Sequence, residues 1–517
     1  MSDLSTGAGD PAAPDHVVDV LVIGAGVSGI GAAYRLQQEC PDRTYAVLEA
    51  RDALGGTWDL FRYPGVRSDS DIYTFSYVFA PWKGDKSLAD GEDIRHYIER
   101  VAAENGIDRH IRFGTKVVAA SWSSDDARWT VRTEPSGAGA ADRQPETWSC
   151  AFLYACAGYY DYSGGYTPTF AGQENFAGKV VHPQSWPDAL DHAGRRVVVI
   201  GSGATAVTLV PAMAGTAEHV TMLQRSPTWI TSLPRRDHLA DRLRSLLPGP
   251  VAHRVIRAKN MAISLGFYQY TRRRPQAARK FLRGRIASRL GEEYTAEHFT
   301  PRYNPWDQRL CFMPDGDLVK AIQRGDASVV TDQIDRFVPE GIRLVSGQVL
   351  EADLVVTATG LQMQLLSGLT LEVDGRPMPL AERTLYRGLM LDGVPNFAMA
   401  LGYVNASWPL RADLSSRYVC RFLNYLARHD LAYGYPVRPP GLEERPVLPL
   451  SSGYVQRALA RLPVQGGAHP WLMRQNYVLD SLHMRLAALT ADMAFGRARA
   501  ASAQARRRSD VGEKVAS

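Results

Sequence analysis

Two glycine-rich turns carry the residue types and spacing that could bind a reactive cofactor. The first, GAGVSG over 24–29, follows the apolar run VVDVLVI, and the second, GSGATA over 201–206, follows RVVVI. A glycine turn between a buried strand and a helix lets the backbone approach a pyrophosphate at the helix N-terminus. The turns therefore predict two dinucleotide sites, whose small residues are Gly24, Gly26 and Gly29 in the first and Gly201, Gly203, Thr205 and Ala206 in the second.

The residue after the second strand of each motif predicts which nucleotide binds. In the first motif the strand Tyr45 to Leu48 ends in Glu49, 20 residues after Gly29. A carboxylate there accepts hydrogen bonds from ribose hydroxyls and repels a 2′-phosphate, so this site should hold FAD or NAD. In the second motif the strand is followed by Arg225 and Ser226. Because a guanidinium pairs with a phosphate dianion, the second site should prefer NADPH.

A third pattern, F-x-G-x-x-x-H-x-x-x-W-P, lies between the two motifs. Taken singly, its aromatics are core residues, its histidine is a satisfied loop residue and its proline is loop punctuation. Taken together, in a short connection between two nucleotide-binding folds, they mark the place where a hinge is expected. The five residues are Phe176, Gly178, His182, Trp186 and Pro187.

A fourth pattern, G-G-x-W-x-x-x-x-Y-P-G-x-x-x-D, begins at Gly55 and ends at Asp69. Two glycines and a Pro-Gly pair are also what a plain surface loop requires. Ser68, Ser70 and Asp71 crowd the same point. The residue types alone therefore do not favour Asp69 over Asp71.

Together these patterns resemble the type I Baeyer–Villiger monooxygenases, flavoproteins that insert an oxygen atom next to a ketone with NADPH and O₂. The segments RYPGVRSDSD, VVIGSGATAVTLVP, VTMLQRSPT and YNPWDQRLC place the resemblance near the ethionamide-activating branch of FAD- and NADPH-dependent monooxygenases. The resemblance implies FAD at the first site, NADPH at the second, and conversion of ketones to esters or lactones. Members of that branch also oxygenate sulfur, in sulfides or thioamides.

The resemblance also implies roles for individual residues. Arg309 would stabilise a C4a-peroxyflavin as its anion, and Asp69, chosen by the family spacing, would orient Arg309 through a paired hydrogen bond. Gln308 stands where relatives carry a lysine that contacts NADPH, and Trp471 matches a tryptophan that covers the cofactor. The loop residues that would wrap the flavin are Gly56, Thr57 and Trp58.

Three other functions fit parts of the sequence. A flavin-containing monooxygenase of nitrogen or sulfur compounds would share both glycine turns, but the Trp186-Pro187 and Arg309 positions favour ketone oxidation. A pyridine nucleotide disulfide reductase needs a redox cysteine pair, and none is present in the sequence. A non-catalytic flavin-binding sensor or scaffold would share the motifs; NADPH turnover that rises with added ketone separates it from an enzyme.

The bulk properties narrow the class further. The 517 residues are 45% hydrophobic and 22% charged, which is ordinary for a soluble globular protein. The net charge of +5 is concentrated in residues 496–517, with six basic and two acidic residues, so we expect no nucleic-acid partner. Five cysteines without a C-x-x-C pair predict neither disulfides nor a metal site, and favour the reducing cytoplasm. The N-terminus lacks a signal-peptide pattern.

These motifs require an α/β fold with two Rossmann-like dinucleotide-binding domains, for FAD and NADP, and a helical insertion. We expect the FAD-binding domain over 16–160 and 386–495, and the NADP-binding domain over 161–235 and 325–385. The helical insertion should span 236–324, and disordered tails, the second of them basic, should span 1–15 and 496–517.

The helical insertion is strongly basic. Between Arg254 and Arg289 the sequence has eleven Lys and Arg and no Asp or Glu. One interpretation is a solvated surface whose charge attracts NADPH. The other is peripheral association with anionic membrane, since Met261 to Tyr270 supplies apolar and aromatic side chains.

Overall fold

The computed structural model describes residues 13–498. Their helices and strands fall into three consecutive parts of the chain. The first part contains β1 (His16–Ile23), α1 (Val27–Glu39), β2 (Tyr45–Leu48), α2 (Thr57–Leu60), α3 (Ile72–Phe75), α4 (Gly91–Glu104), β3 (Ile111–Arg112), β4 (Thr115–Ser123), β5 (Arg128–Pro135) and β6 (Thr147–Ala155).

The second part contains β7 (Lys179–Val181), β8 (Arg196–Ile200), α5 (Ala204–Met213), β9 (His219–Gln224), β10 (Ile230–Leu233), α6 (His238–Leu246), α7 (Gly249–Arg273), α8 (Pro275–Leu290), α9 (Glu292–His298), β11 (Cys311–Pro314), α10 (Asp317–Gln323), β12 (Ala327–Thr331), β13 (Ile334–Val338), β14 (Gly341–Leu344), β15 (Val349–Glu351) and β16 (Leu354–Thr357). The third part contains β17 (Thr370–Val373), β18 (Arg376–Pro377), β19 (Thr384–Tyr386), β20 (Met390–Leu391), β21 (Phe397–Met399), α11 (Trp408–Arg428), β22 (Tyr433–Pro436), β23 (Glu444–Pro446), α12 (Gly453–Ala458), β24 (Val464–Gly466), α13 (Tyr477–Leu486) and β25 (Met493–Gly496).

The first sheet has the order β18-β17-β4-β5-β6-β1-β2-β3, and β21 pairs with β6. Its centre is parallel, and Ile23 lies in register with Leu48 of β2 and Ala155 of β6. Strand β1 is central because Val20, Leu21 and Val22 are fully buried and β-branched or aliphatic. The carboxyl ends of three strands therefore meet at one edge, where ligands bind in such sheets.

The second sheet is parallel throughout, in the order β12-β9-β8-β16-β7. Ile200 at the end of β8 lies in register with Leu223 of β9 and Thr357 of β16. This register repeats the arrangement of the first sheet. The expected α/β fold with two Rossmann-like domains is confirmed.

The chain crosses between the two sheets twice, after β6 and after β16. The two crossing segments, 157–166 and 358–364, run antiparallel, with backbone bonds from Asp161 N to Gln362 O (2.9 Å) and from Gln364 N to Tyr159 O (3.0 Å). The hinge was expected at the fingerprint of residues 176–187. That expectation needs correction, because β7, inside the fingerprint, pairs with β16 as part of the second sheet.

Strand pairing also moves two of the expected boundaries. Residues 370–377 were expected in the NADP-binding domain, but β17 pairs with β4 and joins the first sheet. A four-residue strand carries no pattern that tells which sheet it will join. The purely helical part of the insertion is 238–298, since β11 returns to pair with β10. Gly496, expected in the tail, ends β25, while residues 1–12 and 499–517 lie outside the described residues.

No helix within residues 13–498 is long and apolar enough to cross a membrane.

Candidate active site

Two positions of the first glycine turn accept only glycine. Gly24 has φ +98°, and a Cβ there would lie 2.8 Å from the carbonyl oxygen of Cys156. A Cβ on Gly29 would lie 1.8 Å from the carbonyl oxygen of Gly24. The turn therefore packs against β6 and against its own helix, and the first N–H groups of α1 remain free of side-chain caps.

Glu49 is buried directly beside this turn. Its Oε2 accepts a hydrogen bond from Ala25 N at 2.7 Å, and its Oε1 accepts one from Arg51 N at 2.8 Å. Burial raises the pKa of this carboxyl, while the two backbone bonds and the charge of Arg51 oppose the rise. The side chain is thus held in one orientation, at the place where a ribose would lie.

The loop that begins at Gly55 closes over the first turn. A Cβ added to Gly26 would lie 3.6 Å from the Cα of Gly56. Gly56 itself has a positive φ of +57°. Between the two runs a cavity of about 290 Å³, the cradle cavity, whose wall includes Gly24, Gly26, Glu49, Gly56, Thr57, Trp58 and Asp69. A glycine-lined channel with a carboxylate below and a helix N-terminus at one end fits a dinucleotide such as FAD.

The second glycine turn is more open. A Cβ on Gly201 would lie 2.3 Å from the carbonyl oxygen of Ala358, but one on Gly203 would meet nothing within 4 Å. Thr205, in the first turn of α5, lines the cradle cavity, and Ala206 is buried in the core of the second domain. The second turn therefore faces the same cavity as the first, across the domain boundary.

Arg225 and Ser226 lie where the sequence predicts a phosphate contact. Both are exposed after β9, and in the described part of the chain Arg225 has neither a hydrogen bond nor an ion pair. The residue before them, Gln224, is instead buried and donates to His298 O at 2.8 Å. The guanidinium is thus left available to a ligand at the mouth of the second turn.

Arg309 and Asp69 come together although 240 positions separate them. Arg309 Nη1 lies 3.5 Å from Asp69 Oδ2, a single long contact where a paired bond was expected. Burial opposes the charge, but the Asp69 carboxylate raises the pKa of Arg309 above its ordinary value. Asp71 instead caps α3, accepting from Thr74 N at 2.9 Å. The geometry thus distinguishes the two acids that the residue types did not.

A second, largely apolar cavity of about 340 Å³ lies on the far side of this ion pair. Arg309 and Asp69 line both this apolar cavity and the cradle cavity. Gln308 lines neither, and its segment is held by Asp307, which accepts from Arg272 at 2.8 Å. The wall of the apolar cavity includes Met261, Leu265, Phe267, Phe281, Trp306 and Phe312.

The fingerprint residues serve the second domain. Phe176 packs edge-on against Phe337 in its core, and a Cβ on Gly178 would lie 2.5 Å from Asp353 O. His182 Nδ1 accepts from Gln184 N at 3.1 Å, so its Nε2 carries the proton and donates to Gly360 O at 3.2 Å. His182 thereby joins the second domain to the returning crossing segment. Trp186 packs half-buried on the same domain and Pro187 is exposed.

Trp471 does not cover a cofactor site in this structure, which corrects the expectation. It is 2% exposed, its Nε1 donates to Asp492 at 2.9 Å, and it packs against Tyr386 in the core. Besides Trp58, the cradle cavity is lined by Trp408, which stacks on Tyr159 with ring centroids 4.8 Å apart. Sequence reasoning missed Tyr159. Its place just after β6, at the carboxyl end of a central parallel strand, is a signal that could have found it.

Two dinucleotide cradles that face one cavity, at the carboxyl ends of parallel strands in two sheets, are typical of an oxidoreductase that uses two nucleotide cofactors. Residues 18–239 match the family model described as flavin-binding monooxygenase-like. The FAD-containing monooxygenase EthA of Mycobacterium tuberculosis is 49% identical over 466 residues, which cover 90% of this chain and 94% of that protein. The probable FAD-binding monooxygenase AlmA of Acinetobacter sp is 45% identical over 471 residues (90% and 94%). This chain belongs to the flavin-binding monooxygenase family.

Solved structures agree with this family. An oxidized steroid monooxygenase bound to NADP superposes with a TM-score of 0.72 at 25% identity, covering 93% of this chain and 100% of that chain. An open crystal structure of cyclohexanone monooxygenase superposes with a TM-score of 0.71 at 20% identity (93% and 99%), a likeness that supports the fold.

Proposed function

We propose that this protein is a Baeyer–Villiger monooxygenase that uses FAD, NADPH and O₂ to convert ketones to esters or lactones. FAD and NADP(H) are the cofactors, as the two cradles and the relatives indicate. The chemistry that bound FAD supplies is hydride acceptance from NADPH and activation of O₂.

The observation that carries the proposal is the position of Arg309. Its guanidinium lies where the cradle cavity meets the apolar cavity, so it can face the flavin and the substrate together. Arginine stays charged at any working pH, and a fixed cation stabilises negative charge that develops on the transferred oxygen and on the ketone oxygen. Such stabilisation is what insertion next to a carbonyl requires.

Asp69 supports this role by orientation. Its carboxylate lies within 3.5 Å of Arg309 and lines both cavities. The contact keeps the guanidinium at the junction while leaving its other N–H groups free for reacting oxygen atoms. The single bond leaves Arg309 room to shift between hydride transfer and oxygen transfer.

The apolar cavity supports an uncharged substrate. Its wall is dominated by aliphatic and aromatic side chains, and its charged lining residues are Arg309, Arg285, Asp69 and Asp71. A ketone can place its alkyl groups on this wall and its oxygen near the guanidinium. Sulfides and thioamides, which the resemblance to the ethionamide-activating branch implies, would occupy the same space.

Product analysis over linear, cyclic and aryl ketones and one sulfide tests the proposal. We expect ester or lactone from at least one ketone class, with NADPH consumption that rises when the ketone is added. Sulfoxide with no ester from any ketone would favour a heteroatom monooxygenase. Flavin binding without stimulated NADPH turnover would favour a sensor or scaffold.

A further inference from the structure

Helix α13 turns its apolar side chains outward. Leu482 is 52% exposed and Leu486 79% exposed, and Val478 and Leu479 lie on the same outer face. The buried side includes Asp480, which forms an ion pair with the buried Arg411 and accepts from Tyr403 at 2.8 Å. An amphipathic helix in a soluble protein normally faces its leucines to the core. Here the inward side carries Asp480 and the buried Met484, while the leucines point outward.

The outward face of α13 continues into the mouth of the apolar cavity. Val478 lines that cavity, as do Ile263 of α7 and Phe281 of α8. Their side chains are 50%, 60% and 46% exposed, respectively. Three helices thus contribute apolar side chains to one opening. We call this surface the apolar rim, which consists of Ile263, Phe281, Val478, Leu479, Leu482 and Leu486.

The two helices that supply Ile263 and Phe281, α7 and α8, contain no acidic residue, although Lys259, Arg272 and Arg283 pair with acids of other segments. Arg254 and Arg273 are exposed on α7, and Lys280 and Arg285 are exposed on α8. The stretch from Arg254 to Arg289 contains no acidic residue. A second copy of the chain on this face would bring these cations against each other. An anionic lipid surface complements both the charges and the apolar side chains.

We propose that the apolar rim docks on an anionic lipid surface and that the apolar cavity takes its substrate from that surface. The second half of this proposal rests on the proposed function, and the first half does not. A ketone dissolved in lipid would pass from the bilayer between Ile263, Phe281 and Val478 to Arg309 without crossing water. The substrates are therefore long-chain or otherwise lipid-soluble ketones.

Vesicle flotation of the full-length holoenzyme tests the docking. The probe is phosphatidylcholine vesicles with about one third phosphatidylglycerol, compared with phosphatidylcholine alone, at low and high salt. We expect binding to the anionic vesicles that weakens as salt rises. Leu482→Gln with Leu486→Gln should lower the partition coefficient on the order of tenfold, because two leucines no longer enter the lipid. The matched control is Val345→Gln with Val437→Gln, which changes two exposed apolar residues elsewhere and should bind as wild type does.

A second pair tests the charges. Arg273→Gln with Lys280→Gln should weaken binding to anionic vesicles about 30-fold, because two cations worth about 1 kcal/mol each are removed, while Arg109→Gln with Arg461→Gln should not. Absence of wild-type flotation, or equal losses in rim and control variants, would overturn the docking. A leucine variant that changes its oligomeric state but still binds vesicles would also overturn the docking, because the apolar rim would then be a subunit interface.

Activity separates the two halves of the proposal. The leucine variant should oxidise a short water-soluble ketone with unchanged kcat/KM, because neither leucine lines the apolar cavity or the cradle cavity. Its rate with a long-chain ketone dissolved in vesicles should fall with the bound fraction. An unchanged rate would overturn substrate uptake from lipid. No ester from any ketone, with flotation intact, would reject the proposed function and leave the docking in place.

Discussion

The two nucleotide cradles share one backbone plan but are closed to different extents. At the first cradle, the loop that contains Gly56 covers Gly26. A Cβ added to Gly26 would lie 3.6 Å from the Cα of Gly56. At the second, the matching Gly203 would meet nothing within 4 Å. A closed cradle suits a cofactor that stays bound through many turnovers, and an open one suits a cofactor that must leave after each. The degree of closure therefore predicts which nucleotide is resident and which exchanges.

The residues that follow the strands beside the two cradles differ in the same way, since one is fixed and the other is exposed. Glu49 is buried and held by two backbone N–H groups, so it is fixed before any ligand arrives. Arg225 is exposed, and we expect it to become ordered only if a phosphate binds. Fixed partners favour retention of a ligand, while a partner that must be ordered lowers affinity and eases release.

Arg309→Ala should give the largest effect and should separate the duties of the two cradles. Flavin reduction by NADPH should persist, because hydride transfer does not require a cation at the transferred oxygen. Ester formation should fall about 10²- to 10³-fold, since one preorganised charge-stabilising group is removed. The measurement is ester and hydrogen peroxide formed per NADPH consumed, with stopped-flow flavin reduction. Loss of reduction as well would show that Arg309 acts by placing the nicotinamide.

Asp69→Asn is the matched variant for this test. It keeps the size of the side chain but removes the charge that holds Arg309 at 3.5 Å. We expect a smaller loss of ester than in Arg309→Ala, with more peroxide per NADPH. An equal loss in both variants would mean that Asp69 has a role of its own.

Gly29→Ala and Gly203→Ala test the difference in closure directly. The Cβ of Gly29→Ala would lie 1.8 Å from a backbone oxygen, so the turn must shift. We expect about 1 to 3 kcal/mol of lost stability and a lower flavin content per protein. Gly203→Ala, with open space around its Cβ, should keep its flavin and thermal stability. Equal flavin loss in the two variants would contradict the contrast between a closed and an open cradle.

Arg225→Ala tests the second cradle alone. NADPH should bind more weakly by about 1.5 to 3 kcal/mol, because one charge-assisted contact to the 2′-phosphate is lost. NADH lacks that phosphate and should be little affected. The check is kcat/KM with each nucleotide, with Arg109→Ala as an exposed control. A similar fall with NADH would assign Arg225 a structural role.

His182 gives the smallest expected effect, through pH. Burial lowers its pKa from 6.5, so the folded protein favours the neutral ring that bonds Gln184 N and Gly360 O. Its contribution is therefore complete above about pH 6.5 and is lost as the pH falls through the lower folded-state pKa. His182→Gln should flatten the dependence of the free energy of unfolding on pH in that range by about 1 kcal/mol or less, as measured by urea unfolding at each pH. His96→Gln, at an exposed site, should keep the wild-type slope.

Local patterns predicted the parts of this molecule that are built locally. The glycine turns, the acid after β2 and the arginine after β9 each follow from one strand-turn-helix unit, and all take the expected places. The pairing of Asp69 with Arg309 came from the family resemblance, since nothing in either segment refers to the other. The structure brings the two residues into contact.

The remainder depends on packing between distant segments. Trp408 reaches the cradle cavity because α11 packs on α1, where its Nε1 donates to Ser28 Oγ at 2.8 Å. Trp471 is placed in the core by Tyr386 and Asp492, which lie in other segments. Strand β17 joins the first sheet by pairing with β4, and a sequence of four residues does not predict that pairing.

The order in which strands join the sheets has a consequence for synthesis on the ribosome. The second sheet is made from one continuous stretch, from β7 to β16, and can close as soon as that stretch has emerged. The first sheet must wait for β21 to pair with β6 and for α11 to cover α1. FAD therefore meets a finished site only after α11 has been made, and a nascent chain that stops after β16 would hold a formed second domain beside an incomplete first one.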